Sequence, residues 1–194
     1  MKFNLIYADS PWQYNDKANA GKRGACHKYP VMDLNTIKQL DVASIAADDC
    51  LLAMWWVPPM PQEALDVVRA WDFTLKTMQG FTWHKLSKTG KADHFGMGNW
   101  TRANAECCLF AVRGRPKRIC AAVRSLIVAP VGRHSEKPEE ARQRLVQLLG
   151  DVPRVELFAR TASPGWAVWG NEVESTVELS MCDGGTHEKS SFAL

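Results

Sequence analysis

The sequence lacks the Gly-x-Gly-x-x-Gly phosphate loop that opens many dinucleotide-binding α/β folds. Its nearest approach, Gly96-Met97-Gly98, is a lone pair of glycines in a polar stretch and establishes nothing by itself. None of the six cysteines (26, 50, 107, 108, 120, 182) forms a C-x-x-C pair, and no Cys/His spacing suits a metal. A zinc module is thereby excluded, and free, reduced thiols are expected. The longest apolar run, Cys50 to Pro61, is broken by prolines and too short to span a bilayer. Met1 to Ile6 lacks the basic and apolar regions of a secretory signal. The expected location is therefore the cytoplasm, with no membrane partner. From Cys107 through Ser135 there is no Asp or Glu, while Arg113, Arg115, Lys117, Arg118, Arg124 and Arg133 all fall there. A field of that sign suits a phosphate backbone, although it also suits a solvated basic face balanced by acids elsewhere.

What is present fits a globular chain. At 194 residues, 46% hydrophobic and 23% charged, the sequence can bury one ordinary core. A single domain over residues 1–184 is expected, followed by a polar, frayed tail over 185–194. Strands are expected at 2–8, Cys50 to Val57, within Phe73 to Trp83, at Cys107 to Arg113, Ser125 to Ala129, Val155 to Ala159 and Gly165 to Trp169. Asp33 reads as the N-cap of a short helix ending at Leu40. Pro61 opens another helix, with Ala64, Val67, Val68 and Trp71 as its apolar stripe. A third follows Lys137-Pro138-Glu139-Glu140, acids in the first turn, and ends at Gly150. Segments 13–30 and 86–104 read as long polar loops of the kind that form lids. Strands alternating with helices give an α/β sandwich with a mainly parallel sheet.

The densest chemical signal is Asp9-Ser10-Pro11-Trp12, placed where the first strand ends. In open α/β sheets that edge is where ligands bind. An exocyclic amine on a purine delocalises its lone pair into the ring and is a weak nucleophile. Two acceptors aimed at its protons, the Asp9 carboxylate and the Ser10 carbonyl, would free that lone pair. Pro11 stiffens the turn and removes a competing donor. Trp12 offers a flat face for a base drawn out of its stack. The same four residues also suit a plain turn. A methyl donor would need groups for an adenosine and an amino-acid tail. Glu156 to Arg160 ending one strand, and Gly170-Asn171-Glu172 ending the next, carry suitable carboxylates and amides. Lys85 could meet the donor's carboxylate, or be a surface lysine; Glu156 could equally be an ion pair with Arg160 or Arg154.

Taken in order, these blocks resemble the MT-A family of N6-adenine methyltransferases. The resemblance rests on Ala8-Asp9-Ser10-Pro11-Trp12, Tyr29-Pro30-Val31-Met32, Leu52 to Pro59, Gly80 to Lys85, Asn99 to Glu106, His134-Ser135-Glu136-Lys137-Pro138-Glu139, Val155 to Arg160 and Gly165 to Glu172. It implies a Rossmann-like methyltransferase fold, circularly permuted so that the catalytic motif precedes the donor-binding strand, with S-adenosylmethionine as donor and no metal. It also implies roles for single residues. Asp9, Ser10, Pro11 and Trp12 would be catalytic. Asp9, Lys85, Glu156, Phe158, Arg160, Asn171 and Glu172 would hold the donor. Tyr29, Lys85, Arg102, Asn104 and Glu106 would face the substrate, while His134 reads as a structural residue leading a helix. The expected activity is methyl transfer to the 6-amino group of adenine in DNA, as in compact bacterial and phage enzymes. RNA, or a non-catalytic nucleic-acid-binding subunit, is the alternative, and a homodimer or partner subunit fits either. The family's tetrad carries two prolines; here the first is Ser10, and a backbone acceptor survives that change. Larger relatives have a segment ahead of the motif that contacts the donor's adenine, so that wall is expected to be built otherwise here or to be missing.

Overall fold

The computed structural model describes residues 1–13, 32–96, 100–133 and 136–182, together with the backbone of 15–16 and 23–24. The chain runs β1 (Phe3–Ala8), β2 (Asn15–Asp16), β3 (Arg23–Gly24), α1 (Leu34–Gln39), α2 (Val42–Ile45), β4 (Ala46–Trp56), α3 (Pro61–Ala70), β5 (Thr74–Leu86), β6 (Ala105–Arg113), β7 (Leu126–Pro130), α4 (Glu139–Leu149), β8 (Arg154–Leu157) and β9 (Ala167–Trp169). Tyr29 and His134, and the tail expected over 185–194, lie outside the described residues.

Seven strands form one sheet in the order β7-β5-β6-β4-β1-β8-β9, and β2 pairs with β3 apart from it. The sheet is mixed. Strand β6 runs antiparallel to both β4 and β5, whereas the other neighbours are parallel. Thus β1 is an interior strand, with β4 on one side and β8 on the other. Both of its faces are covered as well, which is why its sequence reads as an apolar run interrupted only by Asn4 rather than as an alternating one.

Pleating sends successive side chains to opposite faces, and two cores follow. Ile6, Ala8, Leu52, Met54, Val155 and Leu157 pack on one face with Ile37 of α1, Val42 of α2 and Val67 of α3. Leu5, Tyr7, Leu51, Ala53, Trp55, Phe81 and Trp83 pack on the other with Ala141, Leu145 and Leu149 of α4. Asp33 caps α1 as expected, its carboxylate accepting from the Asn35 and Thr36 amides at 3.0 and 3.1 Å. Short α2, capped by Asp41, has too few residues for a periodic signal and is not anticipated by the sequence.

Two expectations change with the strand directions. Strand β6 ends at Arg113, which lies opposite Cys50 where the β4–β6 pairing stops, whereas Ala8 lies opposite Met54. Four residues of strand, about 13 Å, separate those levels. Arg113 is bound there to the Ala43 carbonyl and Asp72, and the Arg115 amide donates to Asp49. The Arg113–Arg118 part of the basic run therefore sits at the end of the sheet away from Asp9, and does not extend a track beside it. Likewise, Glu156 does not pair with Arg154 or Arg160. Its alternation turns it under α4, where Arg142 binds it with two hydrogen bonds of 2.7 and 2.8 Å. Arg142 also lies over the Tyr7 ring, 5.6 Å from its centroid. With side-chain exposures of 11% and 6%, this pair is buried structure, not a donor-facing carboxylate.

Arg142→Ala is expected to leave the Glu156 carboxylate buried and unpaired, destabilising the fold by about 3–5 kcal/mol. Urea denaturation measures it; a loss under 1 kcal/mol would show that water readily reaches Glu156.

Candidate active site

The pleat that separates the two cores also assembles a charged cluster. Asp9 follows Tyr7 by two residues, Lys85 follows Trp83 by two, and Glu106 precedes Cys108 by two. All three thus continue the α4-facing rows of their strands at the edge where β1 ends. Lys137, two residues before α4, comes down onto them. Its Nζ lies 2.8 Å from Asp9 Oδ2 and 3.4 Å from Glu106 Oε2. Glu106 Oε1 accepts from Lys85 Nζ. Below, the Trp55 ring centroid is 5.7 Å from the Lys137 ammonium and that of Trp83 is 5.3 Å from Lys85. Two carboxylates and two ammoniums therefore share a partly desolvated space floored by indoles.

Burial pushes the Asp9 carboxyl above its ordinary range, and Lys137 opposes that without cancelling it. Glu106 shifts the other way: burial would raise it, but Lys137 and Lys85 together hold it below the usual value. Burial would lower the Lys137 pKa, yet two facing carboxylates hold it above normal, so this lysine stays charged.

Beyond Asp9 the chain turns sharply. The Trp12 amide donates to the Ser10 carbonyl at 2.9 Å across Pro11, a three-residue turn that proline favours. The Ser10 carbonyl keeps a second lone pair. The Ser10 hydroxyl is buried without a hydrogen-bond partner. Trp12 departs from expectation. It is only 4% exposed, packed in the core on the α1 face, and its indole N–H donates to the Trp55 carbonyl at 3.0 Å. A large ring gains more from burial than from solvent, and its one donor finds a partner there. Trp12 thus anchors the motif and presents no open face to a base.

On the other flank, Phe158 follows β8 with φ at +60°, a conformation that costs a non-glycine residue about 1–3 kcal/mol. The cost is met locally: Phe158 packs edge-on against Trp169 at 5.4 Å, and the Ala159 amide donates to the Trp169 carbonyl at 2.9 Å. A Cβ on Gly170 would fall 2.1 Å from the Ala159 carbonyl oxygen, so only glycine lets β9 end so close to this turn. The turn projects Arg160, whose Nε lies 2.9 Å from Glu172 Oε1 with both side chains half exposed; Asn171 is exposed beside them. Arg160 is near enough to Asp9 to lower its pKa slightly.

The structure therefore brings together Asp9, Lys85 and Glu106, with the Arg160, Asn171 and Glu172 turn alongside. Glu156 is withdrawn under α4. Asn104 and Arg102 sit on the 86–104 segment, where the Asn104 carbonyl accepts from the Lys85 amide at 2.9 Å. Lys137 is the residue the sequence reading missed. Its signal was weak: a lysine before Pro138 reads as a solvated helix lead-in. Among the described residues no group of His, Cys, Asp and Glu could hold a metal ion.

Residues 3–172 match the MT-A70 family model. The chain is 32% identical over 197 residues to the type II methyltransferase M.MunI of a Mycoplasma species, covering 92% of this chain and 81% of that one. It is 27% identical to the human N(6)-adenine-specific methyltransferase METTL4, covering 88% of this chain and 37% of that protein. It is 23% identical to the human N(6)-adenosine-methyltransferase catalytic subunit METTL3, covering 89% of this chain and 28% of that protein.

Two predictions test the cluster. Asp9 titrates higher folded than unfolded, so its protonation favours the folded state, and its contribution to stability fades as pH rises. Glu106 titrates lower folded, so its contribution is present above its unfolded pKa and fades as pH falls through the folded value. Acidification should therefore extinguish function at a higher pH than it unfolds the protein. Rate and melting temperature measured against pH check this; coincident losses would contradict it. Ser10→Ala should raise the melting temperature, because it deletes a buried hydroxyl whose isolation costs about 1–3 kcal/mol. A lowered melting temperature would reveal a partner for that hydroxyl.

Proposed function

Because the chain belongs to the MT-A70 family of methyltransferases, we propose that it transfers a methyl group from S-adenosylmethionine to the 6-amino group of adenine in DNA. The observation that carries this reading is the Asp9 carboxylate. It stands at the end of the interior strand β1, partly open to solvent, beside a backbone acceptor and a lysine that two carboxylates hold in its charged form. The similarity to a type II methyltransferase over most of both chains favours DNA over RNA.

The residues at this edge suit the donor's chemistry. Its ammonium calls for a carboxylate, and Asp9 is one. Its carboxylate calls for an ammonium, and Lys137 and Lys85 are both at hand. Its ribose hydroxyls call for amide and carboxylate groups, and Asn171 and Glu172 project from the tight turn that Phe158 and Gly170 enforce, next to Arg160. Bound there, the donor supplies an electrophilic methyl group on a sulfonium. The strand order supports a circularly permuted arrangement: the Asp9 strand comes first in the chain, and β8, which leads to Phe158 and Arg160, comes late.

The remaining work belongs to the chain's own groups. Asp9 accepts a hydrogen bond from one N–H of the target amine and the Ser10 carbonyl accepts one from the other. Together they aim the nitrogen lone pair away from the ring. As the methyl leaves the sulfonium for nitrogen, the donor departs as a neutral thioether and the nitrogen sheds one proton. The turn across Pro11 fixes the carbonyl direction before substrate arrives, so little reorganisation is needed. Lys137 holds the Asp9 carboxylate in place, and Glu106 with Lys85 meets the edge of the base. Trp12 secures the turn from beneath through the Trp55 carbonyl. Positioning and fixed charge supply the acceleration.

Incubating the protein with methyl-labelled donor and with DNA and RNA of equal sequence tests the reading. N6-methyldeoxyadenosine in the DNA digest is the expected product, and label confined to RNA would overturn the choice of substrate. Asp9→Ala should lower transfer by at least about a hundredfold, as loss of an aimed charge-stabilising group does, while DNA binding stays within a few-fold. A wild-type protein that binds DNA but methylates neither polymer would instead be a binding subunit.

A further inference from the structure

With Trp12 buried, the aromatic surface beside the site lies elsewhere. Trp100 is 100% exposed and Phe95 57% exposed, the largest exposures of aromatic side chains among the described residues. Neither contributes to a core. A bare indole in water contributes no burial to the fold and leaves its flat face open to a ligand.

Both sit on the ribbon made by the described residues of 86–104, which two isolated β-bridges, Leu86–Asp93 and Gly96–Ala103, hold together. Gly96 bridges Ala103, with the Gly96 amide on the Ala103 carbonyl at 2.6 Å. At its root the ribbon grips a single residue: the Lys85 amide donates to the Asn104 carbonyl at 2.9 Å, and the His94 amide donates to the Lys85 carbonyl at 3.0 Å. Lys85 is the residue whose ammonium joins Glu106 in the Asp9 cluster. The aromatic pair is therefore carried on the backbone of an active-site residue, within a few residues of it on either arm. The ribbon's charges favour a polyanion. Lys88, Lys91 and Arg102 are exposed, and its one described acid, Asp93, is held by His84 at 2.8 Å.

We propose that Trp100, supported by Phe95, is a stacking platform for the nucleobases of DNA bound across the Asp9 edge, with the ribbon's cations taking the flanking phosphates. The inference rests on the DNA-methyltransferase reading and adds the residue that holds the strand. Base–aromatic stacking tolerates any sequence, because every base has a flat face. A platform outside the catalytic cluster would hold the neighbours of an adenine while Asp9 works on the extruded one.

The experiment measures the affinity of the full chain for a fluorescent 20-mer, single-stranded and duplex, across salt concentrations. Methyl transfer, donor affinity and sedimentation are measured in parallel. Trp100→Ala should weaken DNA binding roughly five- to a hundredfold, with donor affinity and melting temperature unchanged and Trp100→Phe restoring most of the loss. The slope of log K against log salt should stay the same, because an indole releases no counterions, whereas Lys91→Ala should flatten it by about one phosphate contact. Unchanged DNA affinity in Trp100→Ala, in a wild-type background that methylates DNA, overturns the platform and leaves the activity standing. A drop in sedimenting mass in Trp100→Ala overturns it in favour of a contact between two copies of this chain. A wild-type protein that binds no DNA removes the platform and the substrate reading together.

Discussion

The site depends on one constraint: two carboxylates and two ammoniums must share a partly desolvated space in which each needs the others' charge. Asp9, Glu106, Lys85 and Lys137 come from four separate elements, and their formal charges sum to zero. Each is tolerable only because the others are there. Backbone geometry makes the meeting possible. In β1, β5 and β6 the charged residue sits two places from a residue buried beneath α4, so the alternation that fills that core also delivers the charges to its rim. A register slip of one residue in any of these strands would send its charged group to the opposite face and break the balance. Fold and chemistry are thus fixed by the same pairing.

An aromatic frame beneath the cluster holds this geometry. The Trp12 indole donates to the Trp55 carbonyl, the Trp55 indole donates to the Tyr7 hydroxyl, and the Tyr7 ring lies under Arg142, which clasps Glu156. The chain of contacts crosses β1, β4, β8 and α4. It ties the turn after Asp9 to the helix that follows Lys137, so the two sides of the Asp9–Lys137 contact cannot drift independently. In that light Trp12 and Glu156 serve the site from within the core, although neither faces the cleft.

Much of this was legible in the sequence. The place of Asp9 at a strand's end was, because an apolar run stops at it. The helix beginning after Asp33 and the Pro61 helix were legible through their caps and stripes. What escaped was what needs the third dimension. Lys137 precedes a helix in the manner of countless solvated lysines, and only the fold lowers it onto Asp9. Glu156 has Arg154 and Arg160 as near sequence neighbours, yet its partner is Arg142, fourteen residues earlier, because strand alternation and not proximity decides the face. The basic run after Cys107 looked continuous in one dimension. The antiparallel direction of β6 carries its first part, Arg113 to Arg118, to the far end of the sheet.

The strain at Phe158 shows how the Arg160 side of the edge is built with so little chain. A glycine there would adopt a positive φ freely but would leave the turn loose in the unbound protein. Phenylalanine accepts the strained conformation and repays it by packing on Trp169, while Gly170 lets the end of β9 close against the Ala159 backbone. Arg160 and the Asn171-Glu172 pair are thereby set side by side from two strand ends whose spacing the β8–β9 pairing already determines. A strained turn locked on both sides is a way of holding polar groups at a fixed separation without a helix or a metal to brace them. That rigidity is what a sheet edge needs if a small charged donor and a nucleobase are to meet there within reach of a single carboxylate.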